Sequence, residues 1–482
     1  MADHLRATIP KLGIDRKKIL NDLSARKKDD CDFRGGRTFG LVYHVDQKHE
    51  DLLADVQKLF LEENYLNPMA FKSILGMELE LVSMISEMCH GGSNAVGCVT
   101  SGGTESILLA CKAYRNRARL KNRFRKVEMI LPETAHVAFE KAAAYFGIAI
   151  KRIPVGKDYK ADMKALERAI TRNTALIVMS APQYPHGVMD PIRAAAKIAR
   201  KRNIPLHVDA CMGGFVLPWL EKLGEPIEPW DFRVEGVTSI SLDIHKYGYC
   251  PKGASALLYS SMGFMRNQFF VSTNWPGGVY ASTTLQGSRP GHAIATAYAS
   301  VVSLGEEGFL RLTKRILEAK KILLEAISDT PELVALGPPE VTCVAIASKD
   351  KNIGIYAVGD VLQERGWHLD RQQSPESLHL TIMQNHLDTI SSFVKDLRDA
   401  VAIVRANPKL NQSGQAAVYG MMAKAPLRGF VKTNVAQYLA DMYGSPGASS
   451  SESLGTLHSD SVKVSPILKM ALKIFGKKST LR

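Results

Sequence analysis

Between residues 96 and 259, short apolar runs alternate with helical stretches, and this limits the folds open to the chain more than any other feature. The runs fall at 96–100, 127–131, 148–153, 175–180, 206–208, 237–240 and 254–259. Each is too short for a helix and is bounded by turn residues, which reads as a strand. A helix follows Ser101-Gly102-Gly103-Thr104 and runs to about Leu120, and others are expected near 162–170 and 191–202. Strands alternating with helices build a mainly parallel sheet covered on both faces, an α/β fold.

Outside this block the pattern changes. Residues 1–35 read as an irregular basic lead-in. Helices are expected at about 50–63 and 72–88, the second with Leu75, Leu79 and Val82 on one face. Residues 306–406 mix helices with shorter strands and suggest a smaller second domain. The stretch 445–456 is rich in serine and glycine and reads as a linker. Apolar residues among four lysines at 466–478 suggest a basic amphipathic segment, docked on the protein's own body, disordered, or lying on a membrane surface. The expected division is therefore 1–90, 91–305, 306–430 and 431–482.

Composition excludes several classes. The chain has 482 residues, 45% hydrophobic and 23% charged, as an ordinary globular enzyme does. It has no run of about 18 apolar residues, and its polar start lacks a signal-peptide core. Seven cysteines at scattered positions without metal-ligand spacing read as reduced thiols in a cytoplasmic protein, with no metal site. The net charge is +14, much of it terminal. Residues 1–28 carry eight Lys/Arg against three Asp, and 459–482 carry six against Asp460. Neither end interleaves arginine with aromatics, so nucleic acid is not expected. The excess suits solvated ends, phosphorylated ligands or an anionic membrane surface.

The chemistry collects at strand ends. His245-Lys246 follows the run at 237–240 in a segment rich in glycine, proline and tyrosine. A lysine there can form a Schiff base with a carbonyl, the one most used for this purpose being pyridoxal phosphate. Gly102-Gly103-Thr104 can close backbone N–H groups on a phosphate at a helix start. Asp209, ending another apolar run, can pair with a pyridine nitrogen or cap a helix. His136 can stack on a flat ring or sit satisfied in a loop. Each signal is weak alone, but phosphate cup, ring stacker, pyridinium partner and lysine occur in that order.

These residues, with Pro185-His186-Gly187-Val188, Trp275-Pro276-Gly277-Gly278-Val279-Tyr280 and Gly287-Ser288-Arg289-Pro290-Gly291, resemble pyridoxal-phosphate enzymes of fold type I. The resemblance is to the group II decarboxylase branch and, more narrowly, to the sphingosine-1-phosphate lyases. It covers about residues 35–430. It implies that Lys246 holds the cofactor, Asp209 pairs with the ring nitrogen, and His136 stacks on the ring. Gly102, Gly103, Thr104 and His245 would hold the cofactor phosphate, with Ser288 reaching in from a partner subunit of a homodimer. The segment 1–90 would contribute to the site and the dimer. Tyr43 and Lys252 would grip the substrate phosphate, and Tyr280 would line the reacting carbons.

The implied reaction is retro-aldol cleavage of phosphorylated long-chain bases to an aldehyde and phosphoethanolamine. Two features depart from the pattern. The family histidine after Asn-Pro is replaced here, where Asn67-Pro68 is followed by Met69 and Ala70. The amino-terminal membrane helix of eukaryotic members has no counterpart, which suggests a soluble, bacterial-type enzyme. An amino-acid decarboxylase on the same scaffold, or a non-catalytic basic lipid-binding protein, are the rival readings.

Overall fold

The computed structural model describes residues 8–120, 122–424 and 428–443. The expected linker at 445–456 and basic stretch at 466–478 lie outside them. Seven strands form one sheet: β1 (Val96–Thr100), β2 (Glu128–Pro132), β3 (Ala149–Ile153), β4 (Thr174–Ser180), β5 (Leu206–Asp209), β6 (Val237–Leu242) and β7 (Ser255–Tyr259). Their order is β1-β7-β6-β5-β4-β2-β3. Neighbours from β6 to β3 pair in parallel, and β7 runs antiparallel to β6 and β1. The mainly parallel α/β fold expected from the sequence is the one formed.

Alternate strand residues feed two cores, because successive side chains point to opposite faces. Met129, Leu131, Leu176, Val178, Leu257 and Tyr259 join one cluster with α4 (Gly103–Arg119) and α5 (Ala138–Phe146), which follow α1 (Arg16–Arg26), α2 (Gln47–Leu59) and α3 (Lys72–Met88). Ile130, Ile177, Met179, Ala256 and Leu258 join the other. That second core takes in α6 (Met163–Ala169), α7 (Ile192–Lys201), α8 (Leu217–Lys222) and, after the short α9 (Met262–Met265), α10 (Gly291–Ser328). Burial on both faces is why these strands read as continuous apolar runs.

Two expectations fail at the amino-terminal end. The lead-in is not wholly irregular: α1 forms there, capped by Asp15, whose Oδ1 accepts from Lys17 N at 2.9 Å and Lys18 N at 3.2 Å. It buries no residue, so local capping, not an apolar stripe, defines it. In α3, Leu79 is 59% exposed, whereas Ile74, Leu81, Val82 and Ile85 are buried. The buried stripe also contains Glu78, whose carboxylate pairs with Arg289 at 2.8 Å. An apolar pattern cannot reveal a charge neutralised from 211 residues away.

An antiparallel hairpin, β8 (Phe270–Trp275) and β9 (Gly278–Ser282), leaves the body after β7. A second, four-stranded sheet has the order β10-β11-β13-β12. Its strands are β10 (Leu333–Ala335), β11 (Cys343–Ser348), β12 (Asp370–Gln373) and β13 (Glu376–Thr381). α10 spans the 305/306 boundary expected from the sequence, and Gly305 interrupts its helical dihedrals at φ 56°. The seven cysteines are free thiols. Among the described residues, no helix is long and apolar enough to cross a membrane, and no cluster of three or more His, Cys, Asp or Glu could hold a metal.

Candidate active site

Parallel strands deliver the loops that follow them to one edge, so residues far apart in sequence meet there. That edge opens into a cavity of about 530 Å3. Gly102, Gly103 and Thr104 line it after β1, His136 after β2, Asp209 at the end of β5, and His245 and Lys246 after β6. Tyr43 and Lys252 line it too. Tyr280 and Ser288 do not line it within this chain.

After β6 the chain turns sharply. His245 N donates to Ala254 O at 3.0 Å and Lys246 N to Asp243 O at 3.2 Å. Lys246 Nζ lies 2.9 Å from Asp243 Oδ2. Burial by itself would lower the lysine's pKa, but the Asp243 charge outweighs it and the net shift is upward. Burial would likewise raise Asp243, yet Lys246 and His245 hold it below the ordinary carboxylate range. Burial pushes His245 down, so its imidazole is neutral near pH 7. Its Nδ1 is buried without a hydrogen-bond partner, as is Asp243 Oδ1.

Opposite this turn stands the start of α4. A Cβ on Gly103 would lie 2.6 Å from Asp243 Oδ1 and 2.9 Å from Cys211 Sγ, so only glycine fits. No side chain caps the helix start, which leaves first-turn N–H groups for an anion. Asp209 is fixed at the cavity wall: its Oδ1 accepts from Cys211 N at 3.1 Å and Ser241 Oγ at 3.3 Å. His136 Nδ1 accepts from Ala138 N at 3.2 Å, which orients a ring otherwise open to solvent.

Lys252 and Tyr43 meet at the mouth. The Lys252 ammonium sits 4.7 Å above the Tyr43 ring and donates to His245 O at 3.1 Å. Although the residue as a whole is exposed, its nitrogen is set down among protein atoms. That desolvation, reinforced by Lys246, lowers its pKa to about 8. Burial raises the Tyr43 pKa, so its phenol remains a proton donor.

Sequence reasoning missed part of the wall. Asp243 stands three residues before Lys246 in the same stretch and could have been named as its partner. Tyr184 and Asp370 carry no local signal: the Tyr184 hydroxyl donates to Asp370 Oδ2 at 2.9 Å across 186 residues, once the second sheet packs on the first. Tyr280 lies on the hairpin, its ring 6.3 Å from Phe270 and 6.4 Å from Trp275. Ser288 Oγ accepts from Asn64 Nδ2 at 3.1 Å. Met69 (71% exposed) and Ala70 follow in the Asn64 segment, also outside the cavity lining.

An amine, a deep carboxylate, and a glycine turn facing an unpartnered imidazole nitrogen make a donor set that fits pyridoxal phosphate. The comparisons agree. Residues 19–349 match the family model described as the pyridoxal-dependent decarboxylase conserved domain. Sphingosine-1-phosphate lyase 1 of Rattus norvegicus is 41% identical over 439 residues, 90% of this chain and 77% of that protein. The solved sphingosine-1-phosphate lyase of Burkholderia pseudomallei superposes with a TM-score of 0.82 at 36% identity, covering 91% of this chain and 98% of that one. A Lactobacillus brevis glutamate decarboxylase, at 17% identity and a TM-score of 0.74 over 86% of this chain and 96% of that one, shares the fold.

Proposed function

The chain belongs to the pyridoxal-dependent decarboxylase family, and we propose that within it the protein is a carbon–carbon lyase of phosphorylated sphingoid bases. It would cleave the Cα–Cβ bond of sphingosine 1-phosphate by a retro-aldol reaction, giving a long-chain aldehyde and phosphoethanolamine. The observation that carries this reading is the pairing of Lys246, deep in the cavity, with the Lys252–Tyr43 cation and phenol at its mouth.

Pyridoxal phosphate, when bound, supplies a ring that takes up negative charge developing at Cα. Lys246 Nζ is the group to hold it, and Asp243 stabilises positive charge on that nitrogen. Asp209, fixed by Cys211 and Ser241, would keep the ring nitrogen protonated, and His136 would stack on the ring. The amides of Gly103 and Thr104, with His245 Nδ1, would take the cofactor phosphate. Lys252 and the Tyr43 hydroxyl would bind the substrate phosphate. Anchoring that end fixes the Cα–Cβ bond relative to the ring, and this orientation selects which bond breaks.

The active form would be a homodimer. Tyr280 and Ser288 lie away from their own chain's cavity, Tyr280 on a hairpin that exposes Phe270 (53%), Trp275 (58%) and Val279 (75%) and Ser288 in the segment that follows it. An apolar patch of this kind favours cover by a partner, which would receive both residues in its own site. Seven free thiols favour a reducing compartment such as the cytoplasm.

Product analysis tests the reading. Cofactor-loaded protein given sphingosine 1-phosphate should release a long-chain aldehyde and phosphoethanolamine in equal amounts. Carbon dioxide release from amino acids, with no aldehyde from the phosphorylated base, would replace it with a decarboxylase.

A further inference from the structure

A second cavity, of about 690 Å3, lies at the opposite edge of the main sheet. Thr174 and Pro205 place it at the amino-terminal ends of β4 and β5, whereas Ser180 and Asp209 at their carboxyl ends line the active site. The length of β4 separates the two cavities by about 20 Å. Four arginines line the second one: Arg117, Arg125, Arg172 and Arg202. No aspartate or glutamate does.

The run leading into it is the most one-sided in charge outside the chain termini. Residues 115–126 read Arg-Asn-Arg-Ala-Arg-Leu-Lys-Asn-Arg-Phe-Arg-Lys, with seven cations and no acid. Arg125 already serves the fold by donating to the carbonyls of Arg172 and Thr174. Arg117 lies over the Phe264 ring. No acidic side chain pairs with Arg117, Arg172 or Arg202 among the described residues.

A structural explanation accounts for only part of this charge. The residues that end α4, α6 and α7 (Leu120, Ile170 and Arg202) all line the cavity, so three helix carboxyl ends converge on it. Each carries about half a negative charge, or about 1.5 in all. Four guanidinium groups exceed that by about 2.5 charges, and a guanidinium fork matches the geometry of phosphate oxygens. We propose that this arginine-lined cavity is a second binding site, for a phosphate-bearing anion, separate from the catalytic centre. The same chemistry is offered by a free polyphosphate and by an anionic lipid headgroup.

The test uses full-length holoenzyme and two probes, sodium tripolyphosphate in solution and vesicles containing phosphatidic acid. Binding is compared with Arg172→Glu/Arg202→Glu and with Lys321→Glu/Lys409→Glu, which makes the same charge change at two exposed lysines elsewhere. The site predicts at least tenfold weaker binding of one or both probes in the arginine variant, little change in the lysine variant, and unchanged turnover in each. Loss confined to tripolyphosphate would identify a soluble ligand, and loss of vesicle binding a headgroup. Equal weakening in the two variants would reduce the effect to net charge and overturn the site. Failure of the wild-type holoenzyme to bind either probe at low salt would overturn it as well.

Discussion

At the scale of single residues, two lysines differ in their titration because their surroundings differ. Lys246 faces the carboxylate of Asp243 at 2.9 Å and is held cationic, whereas Lys252 is desolvated beside another cation and titrates near pH 8. Lys246→Ala should abolish both turnover and the visible absorbance of lysine-bound cofactor. A variant that keeps its turnover would remove Lys246 from the centre of the site. For Lys252 the charged form, present below its pKa, is the one that attracts a phosphate dianion. The substrate phosphate is doubly charged above about pH 6. The kcat/KM profile should therefore hold between about pH 6 and pH 8 and fall above it, since kcat/KM reports groups of the free enzyme. Lys252→Arg, cationic throughout, should lose that alkaline limb. Lys252→Ala should raise KM for phosphorylated substrate about tenfold or more while leaving cofactor affinity unchanged.

At the scale of elements, the turn from β1 into α4 and the clamp behind it hold the site together. Gly103→Ala would push a methyl group against Asp243 and Cys211, and should cut cofactor affinity by more than tenfold in an equilibrium titration. Behind the turn, Arg289 bridges Glu78 on α3 and the Val99 carbonyl on β1, each at 2.8 Å or less, and Tyr65 donates to the same glutamate at 2.8 Å. Removing one partner strands the other charge in the interior, so Arg289→Met should cost about 3–5 kcal/mol in denaturant unfolding. Loss below 1 kcal/mol would mean that water reaches this pair.

What the sequence made legible follows from the same physics. Strands buried on both faces appear as unbroken apolar runs, and their ends mark where site residues must lie. Asp209, His245 and Lys246 were readable for that reason. α5 was not, because Ala138–Phe146 is only nine residues long and has no side-chain cap to mark its start. The Glu78–Arg289 and Tyr184–Asp370 pairs were equally hidden, since each exists only after distant segments pack.

At the scale of the whole molecule, the single chain holds the cavity but not Tyr280 or Ser288, which makes shared sites the expected arrangement. Mixed dimers of Lys246→Ala with Tyr280→Phe should regain activity that neither variant has alone, because one site would then combine an intact lysine with an intact tyrosine. Mixtures that stay inactive would return Tyr280 to its own chain or remove it from catalysis. Lys246 and the Lys252–Tyr43 clamp are proposed to form one site built for a phosphorylated base. The most direct measurement is aldehyde release by cofactor-loaded protein from sphingosine 1-phosphate and, side by side, from unphosphorylated sphingosine. Rapid cleavage of the phosphorylated base is expected, with at least a hundredfold lower kcat/KM for the other, the loss of about 2.7 kcal/mol that two charge-assisted contacts supply. Equal rates on the two bases would contradict it.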